Sequence, residues 1–211
     1  MRKLTIYNTR EEWLAARTSY IGGSDAAAVV GQSPWMTNVE LFEIKTGAKK
    51  KAYVTNEAIE YGNSAEPLLR ELFKLNHPEL AVEFSEHNMW TNDKFPYAHA
   101  SLDGWYFRED GTQGVLEIKT GNLLSRGAWD KWKDQIPQNY FCQVLHYMAV
   151  TEAKEATLIA LLKGMKEQYI REYVFRLEDV QEDINYLMDR ENDFYVRIKS
   201  GMKPDLIMPD L

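Results

Sequence analysis

The chain has 211 residues, 45% of them hydrophobic, with a single cysteine and a formal net charge of -7 at pH 7. This length allows one sizeable core, so we expect a single domain over residues 1–211, and the lone Cys142 excludes an internal disulfide. No apolar run approaches the roughly 20 residues of a membrane span and no secretory leader opens the sequence, so we expect a cytoplasmic protein without membrane contacts.

Helical patterns dominate the first 77 residues. Thr9 is a predicted N-cap, and Ser24 is the predicted cap of the next helix. Pro67 falls in the fourth pattern, where it is tolerable only near a helix start or at a kink. The four predicted helices run from Thr9 to Gly22, Ser24 to Val30, Val39 to Gly47 and Ala58 to Phe73.

Alternating or continuously apolar patterns follow and are predicted to be strands of one sheet. A helix separates the third strand from the fourth, and another helix closes the chain. The predicted strands are Ala81–Phe84, Ala98–Phe107, Val115–Lys119, Thr157–Leu162 and Tyr169–Phe175, and the two helices are 137–150 and 177–198. This order predicts an α/β fold class with a central mixed β-sheet flanked by helices.

The pentapeptide Glu-Ile-Lys-Thr-Gly occurs twice, at 43–47 and at 117–121. The second copy continues a strand-like run, and Asp103 stands 14 residues before its glutamate, with a glycine turn between them. The first copy follows a helical pattern, ends at a C-cap glycine and has no acid at an equivalent distance. We therefore predict that the second copy is functional, and that Glu43 and Lys45 are a coincidence on the surface.

Asp103 and Glu117 would place two carboxylates on adjacent strands, and such oxygen ligands suit Mg²⁺ or Mn²⁺. Lys119 lies two residues after Glu117 and points to the same face, where it can activate water or offset charge on a phosphate. Glu66 lies on the preceding helix, among small residues that would let the helix approach the sheet. A purely structural network of ion pairs is the alternative for these residues taken alone.

The residues stand in the order Glu66, Ser101-Leu-Asp103-Gly104 and Leu116-Glu117-Ile-Lys119. In this order the chain resembles the PD-(D/E)XK nuclease superfamily and, within it, the YqaJ-type viral recombinase family that includes lambda exonuclease. The resemblance extends from Arg17 to Tyr147 and implies a restriction-endonuclease-like core. Leu102 departs from the proline of the superfamily name, and a single cysteine excludes the iron–sulfur cluster of some relatives.

The resemblance also implies roles for individual residues. Lys119 matches the catalytic lysine, and Gln143, supported by Tyr140, matches a glutamine that reaches the terminal phosphate or the water at the metal. The implied metal ligands are Asp103, Glu117, the main-chain carbonyl of Ile118, and Glu66 through a water molecule. The implied pocket for a DNA 5′-phosphate consists of Arg17, Ser24, Ser101 and Gln143.

A nuclease of this family would use two Mg²⁺ ions, which Mn²⁺ can replace. It would degrade one strand of linear double-stranded DNA 5′→3′ from a 5′-phosphorylated end, leaving a 3′ single-stranded tail for a single-strand annealing protein in phage-type recombination. A homotrimer, and a phage or prophage gene in a bacterial host, are implied in the same way. The residues alone do not give the polarity, and an endonuclease of restriction or repair type or a non-catalytic DNA-binding module are the alternatives.

Several other residues have weaker patterns. Trp35 follows a Gly-Gln-Ser-Pro turn and either packs internally or stacks on a DNA end. The run Lys49, Lys50 and Lys51 is either a solvated loop or a contact with the DNA backbone. The four histidines lack the spacing of zinc ligands and are expected to be structural: His77, His87, His99 and His146.

Overall fold

The computed structural model describes residues 1–50, 52 and 55–208, so Lys51 of the predicted lysine loop lies outside the described residues. The helices in this part of the chain are α1 Arg10–Thr18, α2 Gly23–Val29, α3 Asn38–Lys45, α4 Glu57–Asn76, α5 Arg126–Asp130, α6 Gln138–Thr151 and α7 Leu177–Ser200. The strands are β1 Arg2–Ile6, β2 Ile21–Gly22, β3 Ala81–Glu83, β4 Asn88–Asn92, β5 Ala98–Ala100, β6 Gly104–Phe107, β7 Gln113–Asn122, β8 Glu155–Lys163 and β9 Gln168–Arg176. No helix among these is long and apolar enough to cross a membrane.

The strands form two sheets. The first has the order β1-β4-β5-β2 and the second has the order β3-β6-β7-β8-β9. In the second sheet β7 and β8 are parallel, whereas the other neighbours are antiparallel. A parallel pair needs a crossover connection, and α6 supplies it between β7 and β8. The two mixed sheets with their flanking helices confirm the predicted α/β fold class.

Helices cover both faces of the five-stranded sheet. On one face, Leu69 and Phe73 of α4 lie in a core cluster with Leu116 and Ile118 of β7. On the other face, α6 belongs to the larger core, which also includes Val115 of β7. Since successive side chains of a strand point to opposite faces, Glu117 and Lys119 share the face of Val115 and lie on the α6 side. The fold thus places the second pentapeptide between the central sheet and α6.

Several details of the sequence-based prediction are wrong. The first helix ends at Thr18 and does not reach Gly22, because residues 21–22 form β2. Residues 98–107 are not one strand, because 98–100 form β5 of the first sheet and 104–107 form β6 of the second. The predicted strands therefore do not all belong to one sheet. Ser24 does not cap α2: the N-cap is Gly22, whose N–H donates to Asp25 Oδ2 at 3.1 Å. The carboxylate of Asp25, three residues after the cap, accepts from the cap's own N–H, as the third residue of a capping box does.

Candidate active site

The second pentapeptide lies on β7, where Glu117 and Lys119 form an ion pair. The Glu117 side chain is 1% exposed and that of Lys119 is 18% exposed. Their spacing of two residues explains the contact, because such side chains share one face of a strand. The prediction that these two side chains share one face is confirmed. A buried lysine and carboxylate are costly to desolvate, so this pair indicates a specific role or a precise structural need.

Asp103 lies where the chain leaves the first sheet and enters β6. Its Oδ2 accepts a hydrogen bond from the backbone N–H of Ile118 at 2.9 Å. The antiparallel register that pairs Gly104 with Leu116 brings Asp103 alongside Glu117, and the connecting hairpin turns at Gly111 as predicted. Two acids that are 14 residues apart in sequence are thus neighbours at the centre of the second sheet.

Glu66 lies on α4 and is oriented by Arg70, one helical turn further on. Arg70 Nη2 donates to Glu66 Oε1 at 2.5 Å, and Arg70 Nε donates to the main-chain oxygen of Asp103 at 2.6 Å. The guanidinium also lies 3.4 Å from the centre of the Phe84 ring. Arg70 therefore joins the helix to the Asp103 segment. Sequence reasoning missed it, although its i,i+4 spacing from Glu66 was a usable signal.

Burial and neighbouring charge raise the pKa values of two acids of the cluster. Burial and then the nearby charge of Asp103 raise the pKa of Glu66 to about 7 and that of Glu117 to about 8. Burial alone would lower the pKa of Lys119, but the charges of Glu117 and Asp103 outweigh it and keep the lysine protonated. Carboxylates crowded in this way favour a bound cation, because a positive charge relieves their repulsion.

One carboxylate oxygen of the cluster has an unused lone pair. Glu117 Oε2 is buried and, among the described residues, has no hydrogen-bond partner. The same part of the chain holds no three His, Cys, Asp or Glu side chains already arranged as a metal site. The reason is that Glu66 and Asp103 each use one carboxylate oxygen to accept a hydrogen bond, Glu66 from Arg70 and Asp103 from the N–H of Ile118. The donor set of Asp103, Glu117 and a neighbouring carbonyl is that of a hard divalent cation.

Helix α6 contributes three side chains to the same region. Lys119 Nζ lies 5.3 Å from the centre of the Tyr140 ring, and Gln143 Nε2 donates to the hydroxyl of Tyr147 at 2.9 Å. Tyr147 is buried, and its pKa is raised by burial and by the charge of Glu117. The predicted residues Tyr140 and Gln143 therefore lie beside the acidic cluster, and Tyr147 joins them.

Two of the four residues predicted to bind a 5′-phosphate, Arg17 and Ser101, contact Trp13. Arg17 packs its guanidinium on the Trp13 ring, with its Cζ 4.1 Å from the ring centre. The indole N–H of Trp13 points to Ser101 Oγ at 3.2 Å, two residues before Asp103. Arg17 and Ser101 are thus brought together through a tryptophan that the sequence did not single out. Ser24 is exposed on the first turn of α2.

A glycine pair brings α2 close to this region. A Cβ atom at Gly22 would overlap the ring of His99, and a Cβ atom at Gly23 would overlap the ring of Tyr147. Only glycine allows the backbone to approach both rings. The segment before Ser24 therefore packs on His99 on one side and on Tyr147 of α6 on the other.

The first pentapeptide has a different environment. Glu43 on α3 is bound by Lys203 at 2.7 Å, at the surface as expected. Lys45 is not on the surface: its side chain is 12% exposed and its Nζ lies 2.7 Å from Oδ2 of the buried Asp25. The prediction of a surface coincidence is wrong for Lys45, because α3 packs on α2 and turns this side chain inward. Lys49 binds Glu40, and Trp35 is 81% exposed.

The sequence matches a protein family and a relative from Bacillus subtilis. Residues 12–154 match the family model of the YqaJ-like viral recombinase domain. The "Uncharacterized protein YqaJ" of Bacillus subtilis (strain 168) is 27% identical over 202 residues, which is 94% of this chain and 59% of that protein. The chain thus spans less than two thirds of the length of this relative.

Solved structures with a similar fold include several exonucleases. The alkaline exonuclease LHK-Exo from Laribacter hongkongensis matches with a TM-score of 0.64 at 17% identity, covering 91% of this chain and 94% of its own. A phage-related exonuclease from Haemophilus somnus 129PT matches with a TM-score of 0.57 at 13% identity, covering 87% and 96%. The chain therefore shares its fold with these two exonucleases. Since the family model covers more than half of the sequence, the chain belongs to the YqaJ-like viral recombinase family.

Proposed function

We propose that the protein is a divalent-metal-dependent exonuclease that degrades one strand of linear double-stranded DNA 5′→3′ from a 5′-phosphorylated end. The observation that supports this best is the buried cluster of Asp103, Glu117 and Lys119, in which Glu117 Oε2 has no hydrogen-bond partner among the described residues. A cluster that only stabilised the fold would be expected to use that oxygen.

In this proposal Asp103, Glu117 and the main-chain carbonyl of Ile118 hold Mg²⁺, or Mn²⁺ in its place, and Glu66 takes part through a water molecule. Two ions are expected. Bound metal would lower the pKa of a water molecule and offset the negative charge of the phosphate. Arg70 orients Glu66 and fixes the backbone of Asp103, so that the carboxylates meet at one place.

Lys119 is the proposed catalytic lysine. Glu117 and the Tyr140 ring fix its ammonium group, and the neighbouring carboxylates keep it protonated. A fixed positive charge stabilises the negative charge that develops on the phosphate during hydrolysis, and it does so without reorganising during the reaction. Gln143, held by Tyr147, is the proposed contact to the terminal phosphate or to the attacking water.

The proposed 5′-phosphate pocket consists of Arg17, Ser24, Ser101 and Gln143. Arg17 provides charge-assisted hydrogen bonds, and the two serines provide neutral donors. Ser101 and Asp103 are two residues apart, so a phosphate held at Ser101 lies close to the proposed metal ligands. This proximity supports cleavage at the end of a strand, because the pocket positions the first phosphodiester bond at the metal.

The comparisons support the same reaction class. One of the similar structures is LHK-Exo in complex with dAMP, with a TM-score of 0.60 at 18% identity over 90% of this chain and 98% of its own. A mononucleotide is the product that we propose for this chain. By family resemblance we also propose a homotrimer around DNA, transfer of the 3′ tail to a single-strand annealing protein, and action in the cytoplasm of a bacterial host.

A digest of labelled DNA tests the proposal. The substrates are linear duplexes with a 5′-phosphate or a 5′-hydroxyl and a covalently closed circle of the same sequence, each with Mg²⁺ or with a chelator. We expect 5′-mononucleotides from the phosphorylated linear duplex in Mg²⁺ and no reaction with the chelator. Equal cutting of the closed circle would identify an endonuclease instead, and no cleavage of any substrate would identify a DNA-binding module.

A further inference from the structure

We propose that His99 is a positioning residue that holds the Arg17 guanidinium in the orientation needed to bind a terminal phosphate. This inference rests on the proposed function, because it concerns the same phosphate pocket. It gives a specific role to a histidine for which the sequence indicated only a structural one.

Arg17 is held at one edge and on one face. Its Nε donates to His99 Nε2 at 3.1 Å, and its planar group lies 4.1 Å from the centre of the Trp13 ring. Within the described residues, its two terminal nitrogens have no protein acceptor. A guanidinium has five N–H donors in a rigid fork. The contacts use the Nε edge and one face, which leaves the terminal nitrogens for the phosphate oxygens.

The His99 ring is itself fixed by its neighbours. It is 2% exposed and stacks on Tyr20 with an angle of 7° between the ring planes. Gly22 lies so close that a Cβ atom there would overlap the ring. The main-chain oxygen of His99 accepts a hydrogen bond from the buried His146 at 2.8 Å. Because its backbone and ring are both held, His99 presents a fixed hydrogen-bond acceptor to Arg17.

The contact with Arg17 also defines the tautomer of His99. The Arg17 Nε–H group is always a donor, so Nε2 of the histidine must be the acceptor and Nδ1 must hold the hydrogen. A protonated imidazole would place two donors against each other. Burial and the charge of Arg17 lower the pKa of His99 well below its ordinary value, which agrees with a neutral ring.

Trp13 links the same arrangement to Ser101. Its indole N–H points to the main-chain oxygen of Asn88 at 2.9 Å and to Ser101 Oγ at 3.2 Å. Ser101 is therefore an acceptor toward Trp13 and keeps its own hydroxyl hydrogen for another partner. Trp13 thus holds both Arg17 and Ser101. The terminal N–H groups of Arg17 and the hydroxyl of Ser101 remain as donors, and recognition of a single phosphate requires several donors held together in this way.

The test compares two substitutions of His99. His99→Phe removes the acceptor and keeps a ring in the buried space, whereas His99→Gln retains a side-chain oxygen that can accept from Arg17. The measured quantity is the ratio of initial rates on 5′-phosphoryl and 5′-hydroxyl ends at fixed salt. We expect His99→Phe to lower this ratio on the order of tenfold, the size of one charge-assisted hydrogen bond, and His99→Gln to restore most of it.

A double-mutant cycle separates positioning from a general loss of stability. In an Arg17→Ala background, His99→Phe should not change the ratio further, because no guanidinium remains to be oriented. His77→Phe is the matched control, since His77 pairs with Glu172 and packs on Phe73 and should leave the ratio unchanged. Equal and additive losses in both backgrounds would overturn the positioning role.

The wild-type protein distinguishes failure of this inference from failure of the proposed function. If wild type shows no preference for phosphorylated ends, the pocket of the proposed function is wrong. If wild type shows the preference and His99→Phe keeps it, only the role of His99 is wrong. Should the variants not fold, nitrogen-15 NMR of wild type decides: we expect a slowly exchanging Arg17 Nε–H signal, and rapid exchange of that signal with water would overturn the inference.

Discussion

The two copies of Glu-Ile-Lys-Thr-Gly have the same five residues and entirely different surroundings. At 43–47 the sequence ends a helix, and its glutamate and lysine bind different partners, Lys203 and Asp25. At 117–121 it lies on the central strand, and its glutamate and lysine bind each other. Residues two apart diverge on a helix but share a face on a strand. Secondary structure alone thus decides whether this sequence forms an acid–lysine pair.

The first copy contributes to the candidate site indirectly, through the segment that precedes Ser24. Lys45 binds Asp25, and the same carboxylate oxygen accepts from the N–H of Gly22. Lys45 also donates to the main-chain oxygen of Tyr20. These contacts hold the segment that leads from α1 to Ser24. We therefore expect the second copy to determine the reaction and the first copy to determine the stability of the segment beside the phosphate pocket.

The largest difference is expected between the two glutamates. Glu117→Gln should reduce Mg²⁺-dependent cleavage to background, because the neutral amide lacks the negative charge with which a carboxylate attracts the cation, and Asp103→Ala should do the same. Glu43→Gln should retain the wild-type rate, since in the described part of the chain the ion-pair partner of that side chain is Lys203, far from the second copy in sequence. The rates should be normalised to folded protein by circular dichroism. Normal turnover by Glu117→Gln or by Asp103→Ala would contradict the assignment of the site.

The two lysines should differ next. Lys119→Ala should lower the rate on the order of 10² or more, in line with the loss of a preorganised electrostatic contact. Lys45→Ala should lower the rate per folded molecule far less, because Lys45 lies on α3 and contacts the site only through the Asp25 segment. Single-turnover rates at saturating DNA give the comparison. Equal losses for the two lysines would mean that the wrong copy has been chosen.

A smaller effect on end preference is expected at Arg17. Arg17→Ala should reduce the preference for 5′-phosphoryl over 5′-hydroxyl ends by about 10-fold to 100-fold, the range for hydrogen bonds to a charged group. Arg17→Lys should rescue it only in part, because an ammonium retains the charge and loses the planar fork. The ratio of the two initial rates must be measured at one salt concentration. An unchanged ratio in all three proteins would exclude the phosphate pocket.

The smallest effect on activity should accompany a clear effect on stability. Lys45→Met leaves the buried Asp25 without its ion-pair partner, which should cost about 3 kcal/mol and lower the melting temperature by about 6–12 °C. Thermal unfolding followed by circular dichroism measures this shift. Asp25→Asn combined with Lys45→Met should recover part of it, because the charge is then removed as well. A melting temperature equal to wild type for Lys45→Met would show that the pair does not support the segment.

The features that could be predicted from the sequence are those determined by residues close to one another in the chain. The approximate positions of six helices, α1 to α4, α6 and α7, followed from caps and apolar spacing. The shared face of Glu117 and Lys119 followed from the period of two of a strand. Position 24 was misread because a serine before a helix is usually its cap, whereas here Gly22 is the N-cap and its N–H donates to the carboxylate of Asp25. In that case two local signals competed, and the wrong one was preferred.

The missed part depends on contacts between distant residues. Strand β4 begins and ends with asparagines, which disfavour strands, but both side chains are buried and bonded to distant main-chain groups. His99 meets Arg17 across 82 residues of sequence, so its role has no local signature. Lys45 was placed on the surface because the packing of α3 on α2 could not be derived from either helix alone.

Metal binding tests the central claim most directly, because it does not depend on turnover. Titration of the intact protein with Mn²⁺, followed by the loss of the free-ion electron paramagnetic resonance signal, gives the number of bound ions and their affinity. We predict binding by wild type and by Glu43→Gln with the same affinity, and strongly weakened binding by Glu117→Gln. Equal binding by wild type and Glu117→Gln, or a loss of binding in Glu43→Gln alone, would contradict the account.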